Sequence, residues 1–398
     1  MLTKRGDSAA DSGFFARHKF WIAVTTLVGT IVGAGILGIP YVVAKAGFLV
    51  GFILILVLGI AFIFLNLFAG EVILRTKEQH QLTGYAEKYL GKNGKRIMTF
   101  TMLFSIYGAL TAYLIGEGAT LHAIFQFGEP LYYSLIFFFL GVFIIWKGMK
   151  STGKAELILI SLLFLVVIFI TIFSYKTINF DNFTFFDFGK IFLPYGIILF
   201  AMMGSPAIPE MQEVLVKEKH LLKKAIVVGT AIPIVLYIVF TFVIIGLVGL
   251  DQFEVLGPNE RIATVALSMY AHPFLGILAN LLAILSMFTS FLTLGTALAQ
   301  VYEYDYAISR SISMLLTFMI PLIIVIFNLT TFITVLGITG AVAGGLDGIL
   351  ITLMYWKAKI FGDRTPEYSL PPYKWIGSLL IVLFVFGIVY QLWASFIF

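Results

Sequence analysis

Three carboxylates sit where carboxylates are costly. Glu117 lies between Gly116 and Gly118, and Asp347 between Leu346 and Gly348, both inside long apolar runs. Glu210 directly follows Ser205-Pro206-Ala207-Ile208-Pro209. An ionisable group in such surroundings carries a proton, closes a gate by pairing with a lysine, or makes a structural hydrogen bond to a neighbouring helix. Glu210 has a further reading, as an anion stabilising a helix N-terminus. The backbone offers a second kind of chemistry. Gly29-Thr30-Ile31-Val32-Gly33-Ala34-Gly35-Ile36-Leu37-Gly38-Ile39-Pro40 holds four glycines and a proline, and Pro206 and Pro209 stand three apart in a second apolar run. Both stretches are poor helix. Backbone freed there exposes amides that suit a carboxylate and carbonyls that suit Na⁺ or an ammonium group. The competing reading of the first stretch is close helix packing through the Gly29–Gly33 pair.

The elements that must position these groups are membrane helices. The chain has 398 residues, 60% of them hydrophobic and only 12% charged, and a mean hydropathy of +1.01. A soluble domain carries about twice that charged fraction. Windows of roughly 20 apolar residues, the length a bilayer core requires, occur at 20–44, 47–73, 97–125, 132–146, 157–175, 191–215, 225–249, 274–302, 312–328, 332–356 and 375–398. Of the 26 Lys and Arg, all but Lys45, Lys176, Lys190 and Arg261 fall in segments on one side of these spans. That asymmetry places the N-terminus in the cytoplasm and the C-terminus outside. The net charge of +5 is therefore membrane topology, not a nucleic-acid footprint.

Eleven spans divide into two sets of five and one extra. Because five is odd, the second set starts on the opposite face, so the two sets form an inverted repeat. The poor-helix stretches fall in spans one and six, the first member of each set. Interrupted spans at matching positions of inverted halves point to a transporter's binding site. The expected organisation is a cytoplasmic tail at 1–19, a first five-helix repeat at 20–175, an outer loop at 176–190, a second repeat at 191–356, and an inner loop with the eleventh helix at 357–398. Residues 76–96 suit a short interfacial helix. Residues 250–273 read as a turn at Gly257-Pro258 followed by a helix that lies over a pocket or serves as a tether.

GTIVGAGILGIPY with the following KAG, YGALTAYLIGEG in the third span and TSFLTLGTALAQVYEYD in the eighth resemble the amino acid/auxin permease family. Within it, the chain is most similar to the prokaryotic aromatic amino acid permeases of the amino acid–polyamine–organocation superfamily. The resemblance implies an all-α membrane protein of the LeuT type, with a 5+5 inverted repeat, helices 1 and 6 broken, and one further C-terminal helix. It implies a substrate site at Thr30, Gly33, Ala34 and Gly35, facing Phe200, Met203, Gly204 and Ser205, with Tyr107 or Tyr113 in reach from the third span. It also implies a Na⁺ site formed by Gly29, Val32, Thr289 and Ser290. The two hydroxyls have an alternative in bonding back to their own helix. Ile36, where a second sodium site would need a polar side chain, argues against a second ion. Proton-coupled relatives place a lysine on the fifth span; Lys154 lies too near the inner end to match it and Ser161 stands closer to that depth, which favours sodium over the proton.

The expected function is a secondary active amino acid transporter working by alternating access as an ion-coupled symporter for aromatic or other neutral amino acids. Its coupling ion is Na⁺ or H⁺, and Glu117, Glu210 and Asp347 are the coupling or gating candidates. An amino acid sensor derived from a transporter, or a channel without coupled transport, would show the same pattern. No catalytic residue, resident metal or cofactor is expected. The five histidines are scattered at 18, 80, 122, 220 and 272, there is no cysteine, and neither HExxH nor GxSxG occurs. A divalent-metal transporter would need an acidic residue in the first-span stretch, which has none. The expected partners are an amino acid and the lipid bilayer of the cell membrane, with no nucleic acid, and the pattern leaves the oligomeric state open.

Overall fold

The computed structural model describes residues 19–148, 153–270 and 272–397. Within them all regular structure is helical. In chain order the α-helices are α1 Lys19–Ile31, α2 Gly35–Ala46, α3 Phe48–Leu74, α4 Leu82–Phe125, α5 Pro130–Trp146, α6 Gly153–Ser174, α7 Tyr195–Met202 and α8 Ile208–Val214. They continue with α9 Leu222–Val255, α10 Ala263–Tyr270, α11 Pro273–Gln300, α12 Arg310–Ile326, α13 Phe332–Thr339, α14 Gly345–Phe361 and α15 Lys374–Ile397. Seven helical stretches are long and apolar enough to cross a membrane, and eight if α1 and α2 form one span. Three shorter apolar helices lie at Pro130–Trp146, Ile160–Ser174 and Arg310–Ile326. The tail at 1–18 and the side chain of Lys154 lie outside the described residues.

Helix stops where glycine and proline make it stop, with two differences of detail from the sequence reading. The axes of α1 and α2 differ by 55° across Val32-Gly33-Ala34. Gly38 and Pro40, counted against helix, nevertheless lie inside α2. Nearly every residue of α2 is buried, and packing on all sides outweighs one lost backbone bond. In the second stretch, Pro206 opens a 3₁₀ turn, Ser205–Ala207, and Pro209 sits in the first turn of α8. At those positions no N–H is needed, so neither ring carries the cost of a mid-helix proline. In α4 the kink is at Gly91, whose φ of 73° separates the amphipathic start of the helix from its apolar body.

The helices sort into two groups. Helices α1, α2 and α3 pack around α9, with α7 on α2 and α3 and α8 on α1 and α3, while α4, α5, α11 and α12 pack around one another. Helix α6 touches both groups, and α13 and α14 lie against both α4 and the α3/α7 side. The gap between α1 and α2 and the gap between α7 and α8 belong to the same group.

Residues 362–373, joining α14 to α15, form a strap sewn onto the end of α3. Glu71, with no exposed surface, accepts from Arg75 Nε at 2.8 Å, Lys359 Nζ at 2.5 Å, Ser369 Oγ at 3.2 Å and the Leu370 amide at 2.7 Å. The Tyr368 hydroxyl donates to the Leu67 carbonyl at 2.7 Å, and burial pushes that phenol well above its ordinary pKa. At the exposed edge Asp363 pairs with Lys88 and accepts from the Lys77 amide. The Lys88 ammonium holds the Asp363 carboxyl below the usual carboxylate range, and Asp363 raises Lys88 in return.

Candidate functional site

The two gaps meet. A Cβ built on Gly35 would lie 2.6 Å from both Cα and Cβ of Ala201, so the start of α2 rests on the main chain of α7. A Cβ on Gly204 would lie 2.5 Å from Cγ1 of Ile31, so the second gap rests on the end of α1. At Gly35 the obstacle is main chain, so only glycine permits the approach, whereas at Gly204 it is the Ile31 and Leu27 side chains. Tyr237 of α9, fully buried, closes the contact: its hydroxyl lies 2.9 Å from the Ile31 carbonyl and 2.8 Å from the Ala201 carbonyl. Ser205 donates to Oδ1 of Asn66 at 3.0 Å, and Nδ2 of Asn66 donates to Thr230 at 3.2 Å. This buried chain fixes the second gap to α3 and α9.

Gly33 is different. The nearest atom to a Cβ built there is the Tyr113 hydroxyl, 3.9 Å away. Tyr113 is buried on α4 and hydrogen-bonded to Ser290 of α11. Gly33 and Ala34 also border a cavity closed by Val166 and Ile170 of α6, Phe240 of α9, Thr264 of α10, and Ala283 and Met287 of α11. The helix expected over a pocket, α10, is thus part of a wall, and its Thr264 hydroxyl is buried without a partner among the described residues. Helix α2 begins at Gly35, so its first amides have no acceptor within the helix. Free amides, a phenol, a serine and apolar walls together suit a small zwitterion with an apolar side chain.

The structure brings some of the sequence-derived residues together and not others. Gly33, Ala34, Gly35, Gly204 and Ser205 lie at the paired gaps. Phe200 and Met203 belong to the same segment, Phe200 packed on Gly340 and Met203 on Gly344. Thr30 is exposed and its hydroxyl bonds back to Thr26. Tyr107 is not at the gaps: its hydroxyl is 2.7 Å from that of Tyr302 and donates to the Leu316 carbonyl. Tyr113, six residues along the same helix, takes the place beside Gly33.

Gly29 serves close packing, with Cδ1 of Ile160 2.7 Å from a Cβ built on it, whereas Gly33 faces open space. The two glycines of the pair therefore do different work. Thr289 donates to the carbonyls of its own helix, Leu285 and Ser286, and Ser290 is taken by Tyr113. Val32 is buried, its amide bonded to the Val28 carbonyl. Glu117 is fully buried and, among the described residues, neither carboxyl oxygen has a hydrogen-bond partner. Asp347 is 9% exposed on α14, and Glu210 is an exposed residue in the first turn of α8. Glu210 thus stands where an anion complements a helix N-terminus.

Tyr237, Asn66, Thr230 and Glu71 escape the sequence reading. The first three are neutral polar residues inside apolar runs, which a search for charges passes over. Glu71 is charged and within the second window, but two residues from its inner end.

Residues 16–394 match the family model described as the tryptophan/tyrosine permease family. The chain is 28% identical to tyrosine-specific transport system 1 of Haemophilus influenzae, over 92% of this chain and 94% of that protein. It is 23% identical to glutamine transporter 2 of Aliivibrio fischeri, over 81% and 85%. Among solved structures it is similar to that of MhsT in complex with L-phenylalanine, with a TM-score of 0.68 and 16% identity, covering 97% of this chain and all of the other. That likeness shows the LeuT-type fold. These relatives are transport proteins with a transporter fold, not enzymes.

Proposed function

The chain belongs to the tryptophan/tyrosine permease family, and on that premise we propose that it is an ion-coupled amino acid symporter that binds its substrate at the paired gaps. The observation that carries the reading is the meeting of the gaps themselves, Gly35 on Ala201 and Gly204 on Ile31, beside the open face of Gly33. The substrate carboxylate takes the amides at Gly33, Ala34 and Gly35. Tyr113 and Ser290 bound it from the other group of helices. The group containing α1, α2, α3, α7, α8 and α9 rocks against that containing α4, α5, α11 and α12, which exposes the site to each side in turn.

Counting the three shorter helices as crossings gives eleven spans, with the first and sixth broken. The charge asymmetry supports a cytoplasmic N-terminus in a cell membrane. The wider kinship with the amino acid–polyamine–organocation superfamily is part of the same reading. For substrate, the tyrosine and tryptophan transporters among the relatives support an aromatic amino acid.

Of the coupling ions, the geometry favours the proton. Glu117 is a buried carboxyl with no partner among the described residues, a group that must be neutral or must hold a cation. The sodium alternative rests on the Thr289 and Ser290 hydroxyls, of which Thr289 donates to its own helix and keeps its oxygen lone pairs for an ion.

Uptake of L-tyrosine, L-tryptophan and L-glutamine into proteoliposomes, under pH and sodium gradients imposed separately, tests this. Uptake driven by an inward proton gradient and lost in Glu117→Gln is expected. Sodium-driven uptake lost in Thr289→Ala/Ser290→Ala would overturn the proton assignment. Saturable binding without uptake under either gradient would overturn transport in favour of a sensor.

A further inference from the structure

Two carbonyls from helix ends converge on one hydroxyl. Helix α1 stops at Ile31 and α7 at Met202, so the Ile31 and Ala201 carbonyls are among those a helix leaves without an intrahelical partner. Both point at the Tyr237 oxygen, at 2.9 and 2.8 Å. A phenol has one proton to donate, so the two carbonyls share it. Carbonyl ends of interrupted helices are where transporters of this kind hold a cation. Here the positive end of an O–H dipole stands between them instead. It is fixed by covalent chemistry and independent of any ion concentration.

The same two residues carry the close contacts of the gaps, Ala201 through its main chain against Gly35 and Ile31 through its side chain against Gly204. Without the hydroxyl, two carbonyl dipoles would face each other across the seam and push the gaps apart. We propose that Tyr237 is a positioning residue of the substrate site: its hydroxyl, in the place of a cation, pins the two gaps together and sets the amides of Gly33 to Gly35 at the spacing a carboxylate needs. The proposal rests on the reading of the gaps as that site.

The test is Tyr237→Phe, which keeps the ring that α9 packs and removes only the oxygen. Initial uptake rates of L-tyrosine should show KM raised about tenfold, equivalent to about 1.4 kcal/mol, with the maximal rate within twofold of wild type and little change in melting temperature. A general loss of structure would instead lower the maximal rate and the melting temperature together. A second readout needs no transport. The chain has no cysteine, so Ala34→Cys is a unique thiol at the gap, and its rate of reaction with a maleimide should rise at least fivefold when Tyr237→Phe is added. Unchanged KM and unchanged thiol reactivity would overturn the pin, as would a fall in maximal rate with KM unaltered. Wild-type protein that transports nothing would defeat the transporter reading, while the thiol reaction would still decide the role of Tyr237.

Discussion

Gly35→Ala is the sharpest probe of the paired gaps. The new methyl carbon would lie 2.6 Å from both Cα and Cβ of Ala201 and 3.1 Å from its nitrogen. Carbon atoms rest at about 3.5–4.0 Å, so the start of α2 must retreat from α7 by about 1 Å. The obstacle is main chain, and no rotamer change relieves it. Overpacking of this kind costs about 1–3 kcal/mol of stability. A shift of about 1 Å at a positioned site costs on the order of 100-fold in rate, so uptake should fall far more than stability does. Gly33→Ala is the contrasting case: its methyl meets only the Tyr113 hydroxyl, at 3.9 Å. It should melt as wild type does while raising KM, because it intrudes on the carboxylate's place. Adding Ala201→Gly to Gly35→Ala should not restore uptake, since the Ala201 Cα obstructs as closely as its Cβ. The assay is the initial rate of L-tyrosine uptake into proteoliposomes, normalised to reconstituted protein, with thermal denaturation in detergent alongside. Uptake by Gly35→Ala within threefold of wild type, or full restoration by Ala201→Gly, would refute the reasoning.

Other perturbations have equally definite outcomes. Glu71→Ala takes the counter-charge from Lys359 and Arg75, leaves the buried Leu370 amide unpaired and should cost about 3–5 kcal/mol, read as a much faster thermal inactivation; Glu71→Gln, which keeps an acceptor, should cost clearly less. Glu117→Gln should leave the melting temperature within a few degrees, because a neutral side chain of the same shape replaces an unpartnered carboxyl; a drop of 10 °C would show that Glu117 is structural. Asp363→Asn should differ from wild type at pH 7, where the carboxylate pairs with Lys88. Because the Asp363 pKa is lowered on folding, its stabilisation is complete above the ordinary carboxylate value of about 4 and is lost as pH falls through the lowered one. The two melting curves should therefore converge in acid, and a difference unchanged at pH 3 would refute that account.

The fold was legible because hydropathy is a long-range average: an apolar run of sufficient length declares a membrane helix wherever it packs. The gaps were legible for a local reason, since glycine and proline limit the backbone without regard to neighbours. Even so, Pro206 and Pro209 mark the opening of a turn and of a helix rather than kinks within one, which requires knowing where the preceding helix ends. Side-chain partners were a different matter. Tyr107 and Tyr113 lie on one helix, roughly 9 Å apart along its axis at 1.5 Å per residue, and nothing local tells which one faces Gly33. Tyr237 looks like one more aromatic residue in an apolar run; its role depends on two carbonyls 206 and 36 residues away. The strap is more remote still, because Glu71 meets the Leu370 amide across 299 positions.

That last separation has a consequence for how the molecule is made. At 5–20 residues per second, the Leu370 amide is synthesised roughly 15–60 s after Glu71 itself. Until Lys359 is made, the only one of these Glu71 partners present is Arg75, one helical turn away. The nascent protein must therefore hold an acidic group near the inner surface in provisional company, and its final burial waits for almost the last loop to emerge. A chain that ends before residue 369 would lack both the Ser369 hydroxyl and the Leu370 amide, and its Glu71 carboxylate would stay unsealed.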